Sequence, residues 1–543
     1  MMKIIVIGGV AAGTKAAAKI RRGDRDAQVK VLTKSMEISY AGCGLPYYIG
    51  GVVPTRDALI VNTPEVFEAL TGAEVTVGCE VTSVDTAGKQ VSYRLWNGEE
   101  GKEPYDKLVI ATGAVPFMPS VDGMDLSGIF PVRTPDDANE IQKYMEQNDC
   151  RRAVVCGAGF IGLEVAENLM VKGLSVTVID AADTIMPNAF DPEMANYAKK
   201  QLQKSNITVM TGTKLLSIIG REKAEGVETD AGTIPADLVI MAIGIRPATK
   251  YLEGSGIDLF RGTVLVDDKM QTNVPGIYAA GDCAMVQNRI TKEPQWSAMG
   301  STANITARLL AENISGIARN EGGVYPGCLG TGVAKILPHL NCGRTGMTER
   351  DALQQGYDAV SAVCVVDDKP HYEPSSASFV MKMIADRGTR RLLGMQVFGP
   401  GAVDKMVDIG VSGISLGARL EDYDTMDFAY SPPFSTAISP FVTACYILEN
   451  KLSGQLETIT PLACANGAAE GYTVIDVHPA PTISGAKWVD LAKADGGIDG
   501  IGKEERLLLI CEKGKRSYFL QNRLKHAGYT GTKVLEGGTT CIL

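Results

Sequence analysis

The stretch that most constrains the fold is Val154-Val155-Cys156-Gly157-Ala158-Gly159-Phe160-Ile161-Gly162-Leu163-Glu164. An apolar strand must run into a turn too tight for side chains, then into a helix whose first N–H groups are free. The following strand, Ser175 to Ile179, ends at Asp180. This spacing is that of a dinucleotide fingerprint: a pyrophosphate rests on the helix N-terminus, and the acid accepts hydrogen bonds from the ribose hydroxyls. A carboxylate repels a 2′-phosphate, so the pattern favours NADH over NADPH. The candidate contacts are Gly157, Gly159, Phe160, Ile161, Gly162 and Asp180, with Gly244 at the turn after the later strand Asp237 to Ile243.

A looser copy opens the chain. A strand over Lys3 to Ile7 feeds Gly8-Gly9-Val10-Ala11-Ala12-Gly13 and an alanine-rich helix expected to run through Ile20. Val10 takes the usual second glycine position, and the next strand, Val29 to Leu32, ends in Thr33-Lys34 instead of an acid. Two further strands close on small-residue turns, Ala111-Thr112-Gly113 and Ala280-Gly281-Asp282. Asp282 is placed to hydrogen-bond a ribityl chain and to cap the following helix. Two fingerprints, one nested within the other's domain, imply two dinucleotides held face to face, a flavin (FAD) and a nicotinamide. The flavin set is Gly8, Val10, Ala11, Ala12, Gly13, Thr33, Lys34, Ala111, Thr112, Gly113, Gly281 and Asp282.

About ten residues past the second strand lies Ser39-Tyr40-Ala41-Gly42-Cys43-Gly44-Leu45-Pro46-Tyr47-Tyr48. A cysteine between two glycines, beside a cofactor strand, is a candidate redox thiol. It has no second cysteine at Cys-x-x-Cys or Cys-x4-Cys spacing, so a redox partner must come from outside the segment. Burial as a structural cysteine is the competing reading.

The 543 residues suffice for three or four domains. A net charge of −10 argues against nucleic acid or an anionic membrane as a general partner. Twelve cysteines without close pairing or metal-ligand spacing point to a reducing compartment and to no metal site. The N-terminus has no secretion-signal pattern, and no apolar run reaches membrane-span length, so a cytoplasmic location is expected.

From about residue 325 the pattern turns to antiparallel alternation, as in Gly332 to Ile336 and Ser378 to Met383, then to helix over Val403 to Leu416 and a stiff aromatic loop, Tyr430 to Ser435. The expected organisation is α/β. Residues 1–150 with 270–324 form a Rossmann-like FAD-binding domain, and 151–269 a Rossmann-like NADH-binding domain. An α+β dimerisation domain covers 325–455, a linker 456–470, and a small α/β domain 471–543.

In the last domain a strand, Leu507 to Ile510, runs into Cys511-Glu512-Lys513-Gly514-Lys515-Arg516-Ser517 and a helix with Phe519, Leu520 and Leu524 on one face. A thiol over a helix N-terminus, with Lys513, Lys515 and Arg516 nearby, is suited to a thiolate or persulfide. Oxidation by peroxide, or a core cysteine that merely ends its strand, are the other readings.

With these motifs in place, residues 1 to about 455 resemble the coenzyme A-disulfide reductase branch of the flavin-dependent pyridine nucleotide-disulfide oxidoreductases. The marks are Tyr40 to Gly50 with its single cysteine, Ala111-Thr112-Gly113, the complete second fingerprint and Ala280-Gly281-Asp282. Residues from about 465 to 543 resemble a rhodanese domain through Cys511 to Arg516, and the combination resembles coenzyme A-disulfide reductase–rhodanese fusions, including coenzyme A persulfide and polysulfide reductases. The resemblance implies a homodimer whose active site is shared between subunits. It implies a Cys43 mixed disulfide with coenzyme A, with Tyr372 and Tyr430 supplied by the partner subunit. It further implies a coenzyme A site at Lys15, Lys19, Arg22, Ser39, Gly42 and Asn304, and Cys511 and Arg516 as the sulfur-transfer pair. The sequence departs from the family at Thr33, at Thr71 in place of a coenzyme A-binding lysine, and at His478, where an arginine often follows Asp-Val; the segment before Gly485 is short.

The implied reaction is NADH-dependent reduction of coenzyme A persulfide, polysulfide or coenzyme A disulfide through Cys43-S-S-CoA, releasing hydrosulfide or coenzyme A, with sulfane sulfur carried by Cys511. Two alternatives stand beside it. One is an NADH oxidase or peroxidase using a Cys43 sulfenic acid. The four histidines, His339, His371, His478 and His526, all lie far from the first fingerprint, which disfavours the peroxidase. The other is a sulfur-sensing or trafficking protein, against which the complete nicotinamide fingerprint argues.

Overall fold

A computed structural model describes residues 1–317, 323–494 and 496–542. The chain forms two compact units, residues 1–181 with 212–328, and residues 182–211 with 329–543.

The first unit holds two parallel sheets. In the first, buried strands pair in the order Ile277–Ala279, Lys107–Ile110, Lys3–Ile7, Gln28–Leu32 and Glu74–Thr76. Lys3–Ile7 carries four fully buried residues in succession, the pattern of a strand covered on both faces. Its helix, Ala11–Gly23, runs one turn beyond the expected end at Ile20. Arg21 and Arg22 are good helix formers whose charge suits a helix C-terminus, and Arg21 Nη1 ties down the carbonyls of Arg25 and Ala27 at 2.6 and 2.5 Å.

In the second sheet Arg152–Cys156 lies between Ser175–Asp180 and Leu238–Met241, and Ile129–Pro131 flanks the latter. The nucleotide sheet therefore recruits a strand from before residue 151, outside the expected 151–269. The helix after it, Pro135–Asn148, begins with a capping box between Thr134 and Asp137.

The second unit contains an antiparallel sheet ordered Gly332–Leu337, Leu340–Gly346, Leu392–Gly399, Ser378–Asp386 and Ala359–Asp367. At its centre Lys382, 1% exposed, holds Asp191, Glu193 and Glu349 at 3.1, 2.6 and 2.7 Å, so residues 182–211 pack with this unit. The approach to the expected boundary at 324 includes residues 318–322, outside the described residues.

The C-terminal sheet is parallel, ordered Thr458–Ile459, Thr532–Leu535, Leu507–Ile510, Thr473–Asp476 and Lys487–Trp488. The expected linker 456–470 thus supplies an edge strand, and Leu456 enters the domain core. Buried Glu536 fastens this edge: it accepts from Thr458 Oγ1 and Lys451 Nζ at 2.6 Å each and from the Val363 N–H at 2.8 Å. In the helix Lys515–His526, Leu520 and Leu524 are buried as expected, but Phe519 faces solvent.

Candidate active site

Both fingerprint turns are shaped for phosphate. A Cβ at Gly8 would lie 2.1 Å from the Ala111 carbonyl oxygen, and one at Gly13 would lie 1.8 Å from that of Gly8. In the second turn the same clashes, at 2.3 and 2.0 Å, fall between Gly157 and Ala242 O and between Gly162 and Gly157 O. Around Gly159 there is open space within 4 Å. Among the described residues no side chain caps the helices Ala11–Gly23 and Phe160–Val171, and neither has an acid in its first turn. A helix N-terminus without a side-chain cap suits an anionic diphosphate.

The Asp180 carboxylate accepts the Ala158 N–H at 2.7 Å, which fixes the acid against the second turn. Gly244 and Ile161 are exposed at the same end of that sheet. In the first domain Thr33 is buried, its N–H and carbonyl committed to Thr76 and Cys79, while Lys34 pairs outward with Glu80 at 2.8 Å. Gly281 packs against Ala12, bringing the Asp282 turn to the start of the first helix. The Asp282 carboxylate pairs with Arg133 Nη2 at 3.2 Å.

Cys43 sits in a single helical turn, Gly42–Gly44, that runs into the short helix Leu45–Ile49 with Pro46 in its first turn. Ser39, at φ +50°, donates its N–H to Gly9 O at 2.9 Å, and Ala41 N–H reaches Leu59 O at 2.7 Å. The cysteine loop is therefore pinned to the first fingerprint. The strained Ser39 backbone belongs to a class that clusters at functional positions.

The Cys43 residue is exposed. The protein packed around it nevertheless pushes its thiol up from the ordinary value, mainly through desolvation, then through the negative charges of Glu164 and Asp282; Arg133 opposes them. Glu164 stands on the helix that opens at Gly159, and its Oε1 accepts the Tyr47 hydroxyl at 3.1 Å. One thiol is thus within electrostatic reach of groups from both fingerprint regions. Glu164, Tyr47 and Arg133 were not among the residues expected from sequence. The acid two positions after the third glycine was the one visible signal; Arg133 gave none.

Of the expected coenzyme A residues, Arg22 is exposed and Lys15 half-buried on one face of the first helix. The Lys19 ammonium is buried and held by Glu312 at 3.0 Å, tying two helices together. Asn304 Nδ2 bonds Gly300 O at 2.8 Å, and Gly42 faces open space. The Thr71 hydroxyl bonds Phe67 O at 2.7 Å at its own helix end.

In the second unit Tyr372 and Tyr430 are exposed, at 62% and 49%. The neighbouring Tyr430 hydroxyl raises the Tyr372 phenol above its ordinary value. Cys511 is buried at the end of its strand. Its carbonyl accepts the Thr539 N–H at 2.9 Å, and Arg516 Nε donates to Val477 O at 2.7 Å. Lys513, one of the three cations expected to act on the thiol, pairs with Asp367 at 2.6 Å.

The model for pyridine nucleotide-disulphide oxidoreductases matches residues 2–303, and that for their dimerisation domain matches residues 334–440. The chain belongs to the pyridine nucleotide-disulphide oxidoreductases. It is an FAD-dependent enzyme of that family, and the two fingerprint turns fit its two dinucleotides.

Among relatives of this oxidoreductase, an NADH oxidase of Methanocaldococcus jannaschii is 35% identical over 84% of this chain and 100% of that one. A CoA-dependent NAD(P)H sulfur oxidoreductase of Pyrococcus furiosus is 35% identical over 82% of this chain and 99% of that one. The solved NAD-dependent persulfide reductase of A. fulgidus is 32% identical, covers both chains completely and superposes with a TM-score of 0.94. Among the described residues no helix is long and apolar enough to cross a membrane.

Proposed function

We propose that this oxidoreductase uses NADH to reduce the sulfur–sulfur bond of coenzyme A persulfide, polysulfide or coenzyme A disulfide at Cys43. The observation that carries this reading is the position of one exposed cysteine, pinned to the first fingerprint through Ser39 and in electrostatic range of Glu164, Asp282 and Arg133. A relative named as a CoA-dependent sulfur oxidoreductase and a persulfide reductase matching end to end support the choice of substrate. Bound flavin would supply two-electron transfer between the nicotinamide and sulfur.

The residues divide the remaining work. Arg22 and Lys15 hold the coenzyme's phosphates, with Ser39, Gly42 and Asn304 along the approach to Cys43. The Cys43 thiolate attacks the inner sulfur of the persulfide; the S–S bond breaks, Cys43-S-S-CoA forms and HS⁻ leaves. Two electrons from the pyridine nucleotide then return the thiolate and free coenzyme A. The chain acts as a homodimer, and the partner subunit's Tyr430 protonates the leaving sulfur, held by Tyr372. Exposed Phe434 and Ile438 in the same loop as Tyr430 suit such a contact.

Residues 456–542 act as a rhodanese domain in which Cys511 carries sulfane sulfur. The Cys511 to Arg516 loop, a parallel sheet behind it and the full-length match to the persulfide reductase support this. The test is NADH consumption with coenzyme A persulfide against consumption with oxygen alone. Persulfide-dependent turnover lost in Cys43→Ser supports the proposal, and turnover with oxygen alone refutes it.

The NADH oxidase relative favours a second reading, in which Cys43 cycles as a sulfenic acid with oxygen as acceptor.

A further inference from the structure

Behind the Cys511 loop lies a buried chain of polar groups that the sequence does not predict. Asp476 ends the strand Thr473–Asp476 and is 1% exposed. Burial pushes its carboxyl up, but N–H groups of His478, Ile483 and Thr482 outweigh that and hold it at about 2, so it is an anion at neutral pH. Its Oδ1 meets His478 Nδ1 at 2.6 Å, and its Oδ2 accepts Thr482 N–H and Ile483 N–H at 2.6 and 2.9 Å.

An anion at Nδ1 fixes the tautomer: Nδ1 carries hydrogen and Nε2 is the acceptor. Nε2 faces Thr539 Oγ1 at 3.4 Å. Thr539 in turn gives its N–H to the Cys511 carbonyl at 2.9 Å. The neighbouring backbone is packed without slack, since a Cβ on Gly538 would lie 2.0 Å from Cys511 O. The backbone of the same residue is anchored as well: Trp488 Nε1 donates to His478 O at 3.0 Å. A carboxylate and an oriented imidazole therefore run in order to the Thr539 hydroxyl, and Thr539 is tied to the Cys511 loop through its backbone N–H. An arginine at position 478 could accept no proton.

We propose that His478, oriented by Asp476 and relayed through Thr539, accepts the proton of the thiol that takes sulfur from Cys511. The step, which rests on Cys511 being a sulfane-sulfur carrier, balances as follows. The acceptor R–SH gives its proton through the Thr539 hydroxyl to His478 Nε2. The resulting R–S⁻ bonds to the outer sulfur of the Cys511 persulfide, the bond from that sulfur to Cys511 Sγ breaks, and Cys511 leaves as a thiolate. The product is the persulfide of the acceptor, the class of molecule that Cys43 reduces. In this step Thr539 meets the acceptor thiol, and His478 acts through Thr539.

The test separates acceptors that bring a proton from one that does not. Full-length protein is loaded with sulfane sulfur from polysulfide and freed of excess. Single-turnover release is then followed with coenzyme A or with sulfite dianion, in wild type, His478→Gln, Thr539→Val and Thr539→Ser. The thiol-to-sulfite rate ratio should fall by about a hundredfold in His478→Gln and Thr539→Val, the scale of general-base catalysis, and recover in Thr539→Ser. An unchanged ratio in both disruptive variants, with wild type and Thr539→Ser loading normally, overturns the relay alone. If wild type takes up no sulfur that Cys511→Ser abolishes, the carrier reading fails and the relay with it. Should His478→Gln fail to fold, the Thr539 pair still decides.

Discussion

Tyr47 donates its hydroxyl to Glu164 at 3.1 Å, which binds the Cys43 loop to the helix that opens at the second fingerprint. After desolvation, Glu164 is the largest cause of the raised Cys43 thiol. Removing its charge makes the thiolate cheaper to form, so Glu164→Gln should lower the Cys43 pKa and raise the thiolate fraction at neutral pH. The midpoint of Cys43 alkylation against pH, with Cys43→Ser as the blank, should move downward. No shift, or an upward one, would show that Glu164 does not act on the thiol.

Lys19 and Arg22 share a face of one helix yet should answer differently. Arg22→Ala should weaken coenzyme A binding with little change in thermal midpoint. Lys19→Met should lower the midpoint, because Glu312 loses its buried cation, and leave binding by the folded protein near wild type. Titration calorimetry beside thermal unfolding distinguishes the two.

Lys382 neutralises part of a buried cluster of three carboxylates. Lys382→Met strands Asp191 and Glu193 without a counter-charge and should cost about 3–5 kcal/mol. Burial works against the charge on Asp191, but Lys382 and the surrounding donors outweigh it and hold the folded carboxyl below its ordinary value. Its stabilisation is therefore present above the unfolded carboxyl's pKa and fades as pH falls through the depressed one. Denaturant unfolding of the wild type should show this acid-side loss, and the variant should lack most of it.

Asp476 gives the sharper pH window. Its folded value of about 2 lies below the ordinary 3.8, so its contribution should be complete above about 4 and lost toward 2. Hydrogen exchange in peptides spanning 473–489, corrected for intrinsic rates, should report local opening across that window. Asp476→Asn should exchange fast at neutral pH as well.

The two fingerprints were legible because glycines at Gly8, Gly13, Gly157 and Gly162 are forced by backbone contacts that admit no side chain, and such a need is written in one-letter code. Cys43 was legible for the same reason, lying between glycines. Lys19 was not, since helical spacing places it beside Lys15 and Arg22 without telling which residues meet a second helix; Glu312 lies almost 300 residues away. The edge strand Thr458–Ile459 has two residues, too few for alternation to register, and is fixed by pairing with Val534 and Leu535. Phe519 showed that an apolar residue at helical spacing need not face the core. The Asp476–His478–Thr539 chain joins residues that sequence separates, and at sequence level His478 was only a departure from a familiar pattern.

The proposed Cys43 mixed disulfide with coenzyme A is tested by mass analysis of what a reductant releases from the purified, oxidised protein, with Cys43→Ser alongside. Coenzyme A is expected from wild type and none from the variant. Release of nothing, with Cys43 found as a sulfenic acid, would contradict it and favour reduction of oxygen.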